Sequence, residues 1–271
     1  MKLLKRPLEA WGMFLIFALI VVIGTASFFI KWMPPLASNR ISIDQMMNVL
    51  FIITGIFFVL VQGLTGYFIW KYSDQNKERS TYIPGSYALE VTWTLGTAII
   101  LAVLGIWGVK VWKKTVIQAP PPNALQVEVV AQQFSWSFLY PGPDGVFGKL
   151  NPKYISFLNP LGIDPKDSAG KQDVWTKDDL YLPVGKPVVL RIRSLDVVHS
   201  FFVPAFRVKQ DAVPGMTIST WFIPEKKGKY EIACSQFCGR GHYTMRGTCF
   251  VVSNVRFQKE LAHLRKEDEG E

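Results

Sequence analysis

The chain is poor in the residues that build cross-linked or haem-bearing proteins. Only 3 cysteines and 3 histidines occur among its 271 residues. Three thiols are too few for a disulfide framework, and any pairing leaves one over. No Cys-x-x-Cys-His occurs, so these residues carry no covalently attached c-type haem. Charge is sparse too: Asp, Glu, Lys and Arg make up 19%, against 49% hydrophobic residues and a mean hydropathy of +0.19. That apolar content is enough to offset chain entropy, which excludes a disordered or collagen-like polypeptide. A positive mean hydropathy also argues against a purely soluble protein. No internal repeat is visible, and the length allows one or two domains.

What is present divides sharply. The net charge is +9, a value compatible with nucleic acid or a membrane surface. Its distribution decides. Residues 1–115 hold 11 basic and 5 acidic residues, the remainder 19 and 16. The excess therefore flanks the apolar half, and nucleic acid loses its support.

Three apolar runs dominate that half: Ala10–Ile30, Val49–Trp70 and Trp93–Trp112. About 20 helical residues cross the ~30 Å of hydrocarbon, and each run suffices. The third is bracketed by Trp93 and by Trp107 and Trp112, rings suited to headgroup depth. The first run has two readings. Met1–Arg6 is basic and Thr25-Ala26-Ser27 is small, as in a signal peptide, but the apolar core is longer than such segments have, which favours a retained helix. Lys2, Lys5 and Arg6 precede the first run, and Lys71, Lys77 and Arg79 lie between the second and third. The positive-inside rule places both stretches in the cytoplasm and everything after Trp112 outside. Lys110, Lys113 and Lys114 oppose this locally; they are expected to snorkel to the outer interface.

Ala119-Pro120-Pro121-Pro122-Asn123 is a stiff linker, and strand-like alternation follows from Leu125. Short strands are expected around Leu125–Val129, Phe134–Tyr140, Val188–Arg193, Thr217–Phe222, Lys229–Ala233 and Gly247–Val252, with Gly- and Pro-rich turns between them. The pattern predicts a small antiparallel sandwich or barrel of Greek-key type. Residues 148–177 read as an insertion loop, and 254–271 as a short amphipathic helix with a charged tail. The expected organisation is thus an N-terminal span (1–33), a transmembrane hairpin (34–118), an extracytoplasmic β-domain (119–253) and the tail (254–271).

Chemistry concentrates in Cys234-Ser235-Gln236-Phe237-Cys238-Gly239-Arg240-Gly241-His242-Tyr243-Thr244-Met245. Soft sulfur with imidazole suits copper or zinc far better than calcium or magnesium. Zinc sites have no use for a thioether. A mononuclear blue-copper loop supplies one Cys, one His and a Met; here there is a second Cys. Two facing thiolates can bridge two metal ions, with the Gln236 carbonyl turned inward. A second imidazole must come from elsewhere. His263 lies in the charged tail, where a solvated residue is the simpler reading. His199, in Asp196-Val197-Val198-His199-Ser200 at the end of an apolar strand, is the natural choice. A Cys234–Cys238 disulfide is the competing reading, and it leaves His242 and Met245 idle. Met216 is better placed to start a strand, and Cys249 reads as a buried structural thiol.

This loop resembles the binuclear copper A site of subunit II of the haem–copper oxidases. Asp196–Ser200 and Lys209–Gly215 resemble the strands feeding that site, Gln133–Tyr140 the family's aromatic segment, and Leu89–Thr94 the entry to its second span. The resemblance implies N-terminal membrane helices, two of family type plus one extra, followed by an all-β cupredoxin-like domain. It implies that Cys234 and Cys238 bridge both coppers, that His199 and Met245 complete one ion, and that His242 and the Gln236 carbonyl complete the other. The implied activity is that of a respiratory cytochrome c oxidase in a bacterial inner membrane. Electrons from a cytochrome c-type donor pass outside the membrane to haem in subunit I, for oxygen reduction coupled to proton translocation. A nitric-oxide-reducing relative shares the copper domain, and a quinol oxidase subunit II usually lacks the ligands that are complete here.

Three departures stand out. Gln236 replaces the family's glutamate, which puts a magnesium site at the subunit I interface in doubt. Phe134 replaces the tryptophan regarded as the electron entry point, leaving Phe134 or Trp136 for that role. The first span is additional. Glu90, three residues before Trp93, is either a solvated helix-end carboxylate or, by the resemblance, the mouth of a proton-uptake channel. The donor is expected to be a soluble or membrane-anchored cytochrome, or a supercomplex partner, with Asp173, Asp178 and Asp179 as an acidic edge for it.

Overall fold

The computed structural model describes residues 8–27, 29–30, 32–72, 82, 84–156, 159 and 161–269. Lys2, Lys5, Arg6, Lys31, Lys77 and Arg79, which carry much of the charge-based topology, lie outside the described residues. The chain forms two compact units, residues 1–32 with 42–111, and residues 33–41 with 112–271.

The first unit contains three helices, α1 (Leu8–Ser27), α2 (Ile41–Tyr72) and α3 (Tyr87–Trp112). All three are long and apolar enough to cross a membrane. α2 has 32 residues and starts before its apolar run, through Ser42, Asp44, Gln45 and Asn48. At 1.5 Å per residue it is roughly 48 Å long, more than a bilayer core needs. Hydropathy marks only the part that crosses. α1 packs on α2 through glycines: a Cβ on Gly24 would lie 2.5 Å from the Phe58 ring, and one on Gly66 2.9 Å from Phe17 Cβ. Small residues let helix backbones approach this closely.

The second unit is a sandwich of two five-stranded sheets. Its strands are β1 (Leu125–Gln132), β2 (Ser135–Tyr140), β3 (Val174–Lys177), β4 (Asp179–Pro183), β5 (Val188–Ser194), β6 (His199–Val203), β7 (Val208–Ala212), β8 (Ile218–Phe222), β9 (Gly228–Cys234) and β10 (Arg246–Val252). One sheet runs β3-β2-β1-β5-β8, the other β4-β10-β9-β6-β7. The sheets are mixed, because β1 pairs parallel with β5 and β10 parallel with β4. Alternation of side chains reports which face is buried, not strand direction, so the expected purely antiparallel arrangement had no way to register these pairs.

Between the sheets lie Val129, Trp136, Phe138, Leu190, Ile192, Phe201, Ile232 and Val251, among others, nearly all fully buried. Each such side chain contributes about 1.5–3 kcal/mol through burial. β2 is buried on both faces. Its Leu139 joins Val130 and Leu161 in a second cluster covered by Phe147, Leu150, Ile163 and Trp175. The stretch expected to be an insertion loop therefore ends in a strand, β3, and roofs the outer face of its sheet. α4 (Asn254–Glu269) closes the unit by burying Phe257 and Leu261.

Residues 33–41 also belong to this unit. Ala37 N donates to Ala205 O at 2.8 Å, and Ser38 Oγ to Phe206 O at 2.8 Å. Ala37, Ser38 and Arg40 are buried.

Candidate metal centre

Three strands of one sheet deliver the site. Cys234 ends β9 opposite Phe201 of β6, two residues after His199. Cys234 N donates to Met245 O at 3.1 Å, which sets the start of β10 beside the end of β9. The intervening loop, tightened by a short 3-10 turn over His242–Thr244, brings Cys238 and His242 back over the same spot. His199 opens β6 and does not end a strand, because the preceding Asp196–Val198 segment bends around the Asp196 carboxylate.

The donor atoms converge. The two sulfurs lie 3.8 Å apart, and both cysteines are free thiols. His199 Nδ1 is 3.2 Å from Met245 Sδ and 4.0 Å from Cys234 Sγ. Cys238 Sγ is 3.6 Å from His242 Nδ1 and 3.8 Å from Met245 Sδ. The Gln236 carbonyl turns inward, 3.1 Å from Cys234 Sγ. All six residues singled out in the sequence thus surround one point. His199, Cys238 and Met245 are buried, whereas His242 is half-buried. His199, Cys234 and Cys238 by themselves form a group able to hold a metal ion. Burial, reinforced by the Cys234 sulfur, pushes the Cys238 thiol up to about 11. A metal must displace these thiol protons on binding.

Two thiols, two imidazoles and a thioether fit a soft, thiophilic ion far better than a hard one. Two thiols between two imidazoles, with a thioether and a carbonyl at the flanks, exceed the four ligands of a zinc site. The set suits copper.

The surroundings hold the donors in place. Asp196 Oδ1 accepts from His199 Nε2 at 2.8 Å and from Val197 N at 2.6 Å, while Oδ2 accepts from Gln133 N at 2.6 Å. This bond places the imidazole proton on Nε2 and leaves the Nδ1 lone pair facing the sulfurs. Desolvation would raise the Asp196 carboxyl, but the hydrogen bonds from His199, Gln133 and Val197 prevail and hold it below the usual carboxylate range. Gln133 Nε2 donates to Cys238 O at 2.7 Å. The Phe134 ring lies so close that a Cβ on Gly241 would be 2.5 Å from it. Nothing in the sequence assigns Asp196, Gln133 or Gly241 a role of its own. Asp196 is adjacent to a ligand segment, but nothing local reveals its bond to residue 133.

The remaining expected residues are placed as follows. Phe134 is at the surface, 36% exposed, whereas Trp136 is fully buried with its ring centroid 6.2 Å from that of His199. Glu90 is exposed in the first turn of α3. His263 lies on α4, apart from the site. Cys249 is buried in β10, and burial pushes its thiol up. Met216 is exposed in the turn before β8. The expected acidic edge does not form at Asp173, which is 3% exposed and accepts from Gly142 N and Gly148 N.

The fold and site define a cupredoxin-like metal domain carried on apolar helices. Residues 125–254 match the family model for the periplasmic domain of cytochrome c oxidase subunit II, and residues 32–111 match that for its transmembrane domain. The chain belongs to the cytochrome c oxidase subunit II family. It is 37% identical over 237 residues to an alternative cytochrome c oxidase subunit 2 of Bradyrhizobium diazoefficiens, covering 86% of this chain and 85% of that one. It is 28% identical over 220 residues to a cytochrome c oxidase subunit 2 of Cereibacter sphaeroides, covering 76% and 71%. The crystal structure of the periplasmic domain of cytochrome oxidase subunit II of Bradyrhizobium japonicum superposes with TM-score 0.41 at 29% identity, covering 54% and 97%. By its family, the chain is a membrane-anchored subunit of a haem–copper oxidase.

Proposed function

We propose that this chain is the electron-entry subunit of a respiratory cytochrome c oxidase in a bacterial inner membrane. In this reading Cys234, Cys238, His199, His242, Met245 and the Gln236 carbonyl would together hold a pair of copper ions. The β-domain, residues 119–253, faces the periplasm on the hairpin 34–118. The observation that carries the proposal is the convergence of six donors on one point with both thiols free and 3.8 Å apart. When bound, a copper pair of this kind takes up and gives up one electron with little change in structure.

The chain's own residues supply that rigidity. Asp196 fixes the His199 ring, the β9–β10 pairing fixes Cys234 against Met245, and Gln133 fixes the Cys238 carbonyl. Phe134 covers the ligand loop and limits water on that side. Because Trp136 is fully buried, direct contact with a cytochrome c-type donor, soluble, membrane-anchored or in a supercomplex, falls to Phe134. Phe237 and Tyr243, 76% and 77% exposed, extend this apolar surface around the site. Electrons then pass to haem in the partner subunit I. Gln236 offers no carboxylate to a magnesium ion, and in this reading Glu90, exposed at the start of α3, is the residue assigned to proton entry.

The test is metal analysis of the full-length chain loaded with copper in detergent. Two coppers per chain and a purple mixed-valence form are expected; zinc retention or a single copper overturns the proposal. For Glu90, a Glu90→Gln oxidase is expected to turn over more slowly with copper content intact.

A further inference from the structure

A second polar site in the β-unit involves none of the metal donors. It is built around Arg40, which is 7% exposed. Its Nη1 donates to Arg207 O at 3.1 Å, and its Nη2 to Trp221 O at 2.8 Å, Thr220 Oγ1 at 3.0 Å and Thr115 O at 3.4 Å. Every one of these acceptors is uncharged, and among the described residues Arg40 makes no ion pair. Burial lowers its guanidinium to about 10, with no carboxylate to restore it. A buried charge without a partner is costly, and such charges are ordinarily paired.

Arg40 opens onto a cavity of about 120 Å³ lined by Asn39, Arg40, Lys114, Thr115, Gln118 and Trp221. The lining holds two cations, two amides, a hydroxyl and an indole, and no carboxylate. Its place along the chain sets its surroundings. Arg40 immediately precedes α2, and Lys114 lies in the π-helical turn Lys113–Ile117 that ends the third apolar span. Both cations therefore sit at the ends of membrane-crossing helices, the depth at which lipid headgroups lie. A planar guanidinium with a neighbouring ammonium matches a phosphate oxyanion.

We propose that this cavity binds the phosphate of an anionic lipid headgroup. Arg40 supplies the fixed charge, held by the four acceptors above. Lys114 supplies a second, mobile charge at the rim, and Asn39 and Gln118 supply amides to the remaining oxygens. A zwitterionic headgroup is disfavoured because its own cation faces Lys114.

Native mass spectrometry of the full-length chain in a nonionic detergent tests this, with dioleoylphosphatidylglycerol, dioleoylphosphatidylcholine or inorganic phosphate added. The anionic lipid is expected to bind about tenfold or more tighter than the zwitterionic one. With each basic residue near a charged membrane worth about fivefold, Lys114→Gln should weaken it about fivefold and Lys114→Glu about thirtyfold. Both variants leave the Arg40 bonds and the metal donors untouched, so copper content is expected to be unchanged. Equal retention of the two lipids, or wild-type retention by Lys114→Glu, overturns the proposal. Displacement of the lipid by equimolar inorganic phosphate reassigns the cavity to a free anion and also overturns it. So does a neighbouring subunit's carboxylate seated on Arg40 in the assembled oxidase.

Discussion

The two ends of β6 carry opposite kinds of chemistry. At its start His199 joins sulfur, imidazole and carbonyl donors suited to a cation. Just past its end, the carbonyls of Phe206 and Arg207 receive Ser38 and Arg40, at a place where positive charge awaits an anion. β6 has five residues, so its first and last Cα atoms lie roughly 13 Å apart at strand rise. The contrast shows how differently two polar sites can be written into one sandwich. Five of the six metal donors fall within residues 234–245, so local spacing reveals them. The cationic site is assembled from residues 39–40, 114–118, 207 and 220–221, no two segments of which look unusual alone.

Removing a donor should break the first end most severely. Cys238→Ser is expected to lower copper from two ions per chain to one or none and to abolish the purple absorption, since an alcohol does not bridge soft metals. At the other end, Arg40→Met removes a costly buried charge but leaves the carbonyls of Arg207 and Trp221 without a donor, so the β-unit is expected to lose about 1–3 kcal/mol net. Thermal unfolding followed by tryptophan fluorescence measures this, and a midpoint within error of wild type would show that Arg40 does not clamp these carbonyls. Asp196→Asn sharpens the comparison without removing a donor. Its amide must face one of the three N–H groups that now donate to Asp196. Copper affinity is expected to fall about 10- to 100-fold, as for other groups that orient a ligating histidine. Competition with a chelator reads this, while the copper count at saturation stays at two.

The smallest expected effect concerns an acid belonging to neither end. Burial raises the Asp173 carboxyl above its ordinary value, although Gly142 N and Gly148 N bond to it. The folded state therefore holds this proton more tightly than the unfolded chain does. Its contribution is fully present below the ordinary carboxylate range and is lost as pH rises through the folded value. The stability of wild type relative to Asp173→Asn should fall as pH rises above about 4. Thermal midpoints of the two proteins at several pH values check the sign, and a difference that grows with pH contradicts it.

Much of the fold and site is legible in the residues themselves, for physical reasons. The apolar runs reveal α1, α2 and α3 because a bilayer demands continuous hydrophobicity. The Cys234–Met245 spacing reveals the donors because one loop supplies most of them. β3 and β4 escape such a reading because β3 lies in, and β4 directly follows, a stretch dominated by turn residues. Residues 37–40 pass for a simple connection, since the backbone bond of Ala37 to residue 205 leaves no mark on composition. Trp136 looks available to a donor because alternation along β2 does not show that both faces of that strand are covered.

Electron paramagnetic resonance of the copper-loaded full-length chain separates a shared copper pair from an isolated ion. One unpaired electron shared across both sulfurs must couple to two equivalent copper nuclei, and that hyperfine pattern is the expected result. A pattern from a single copper nucleus, with the second ion silent or absent, would contradict the account.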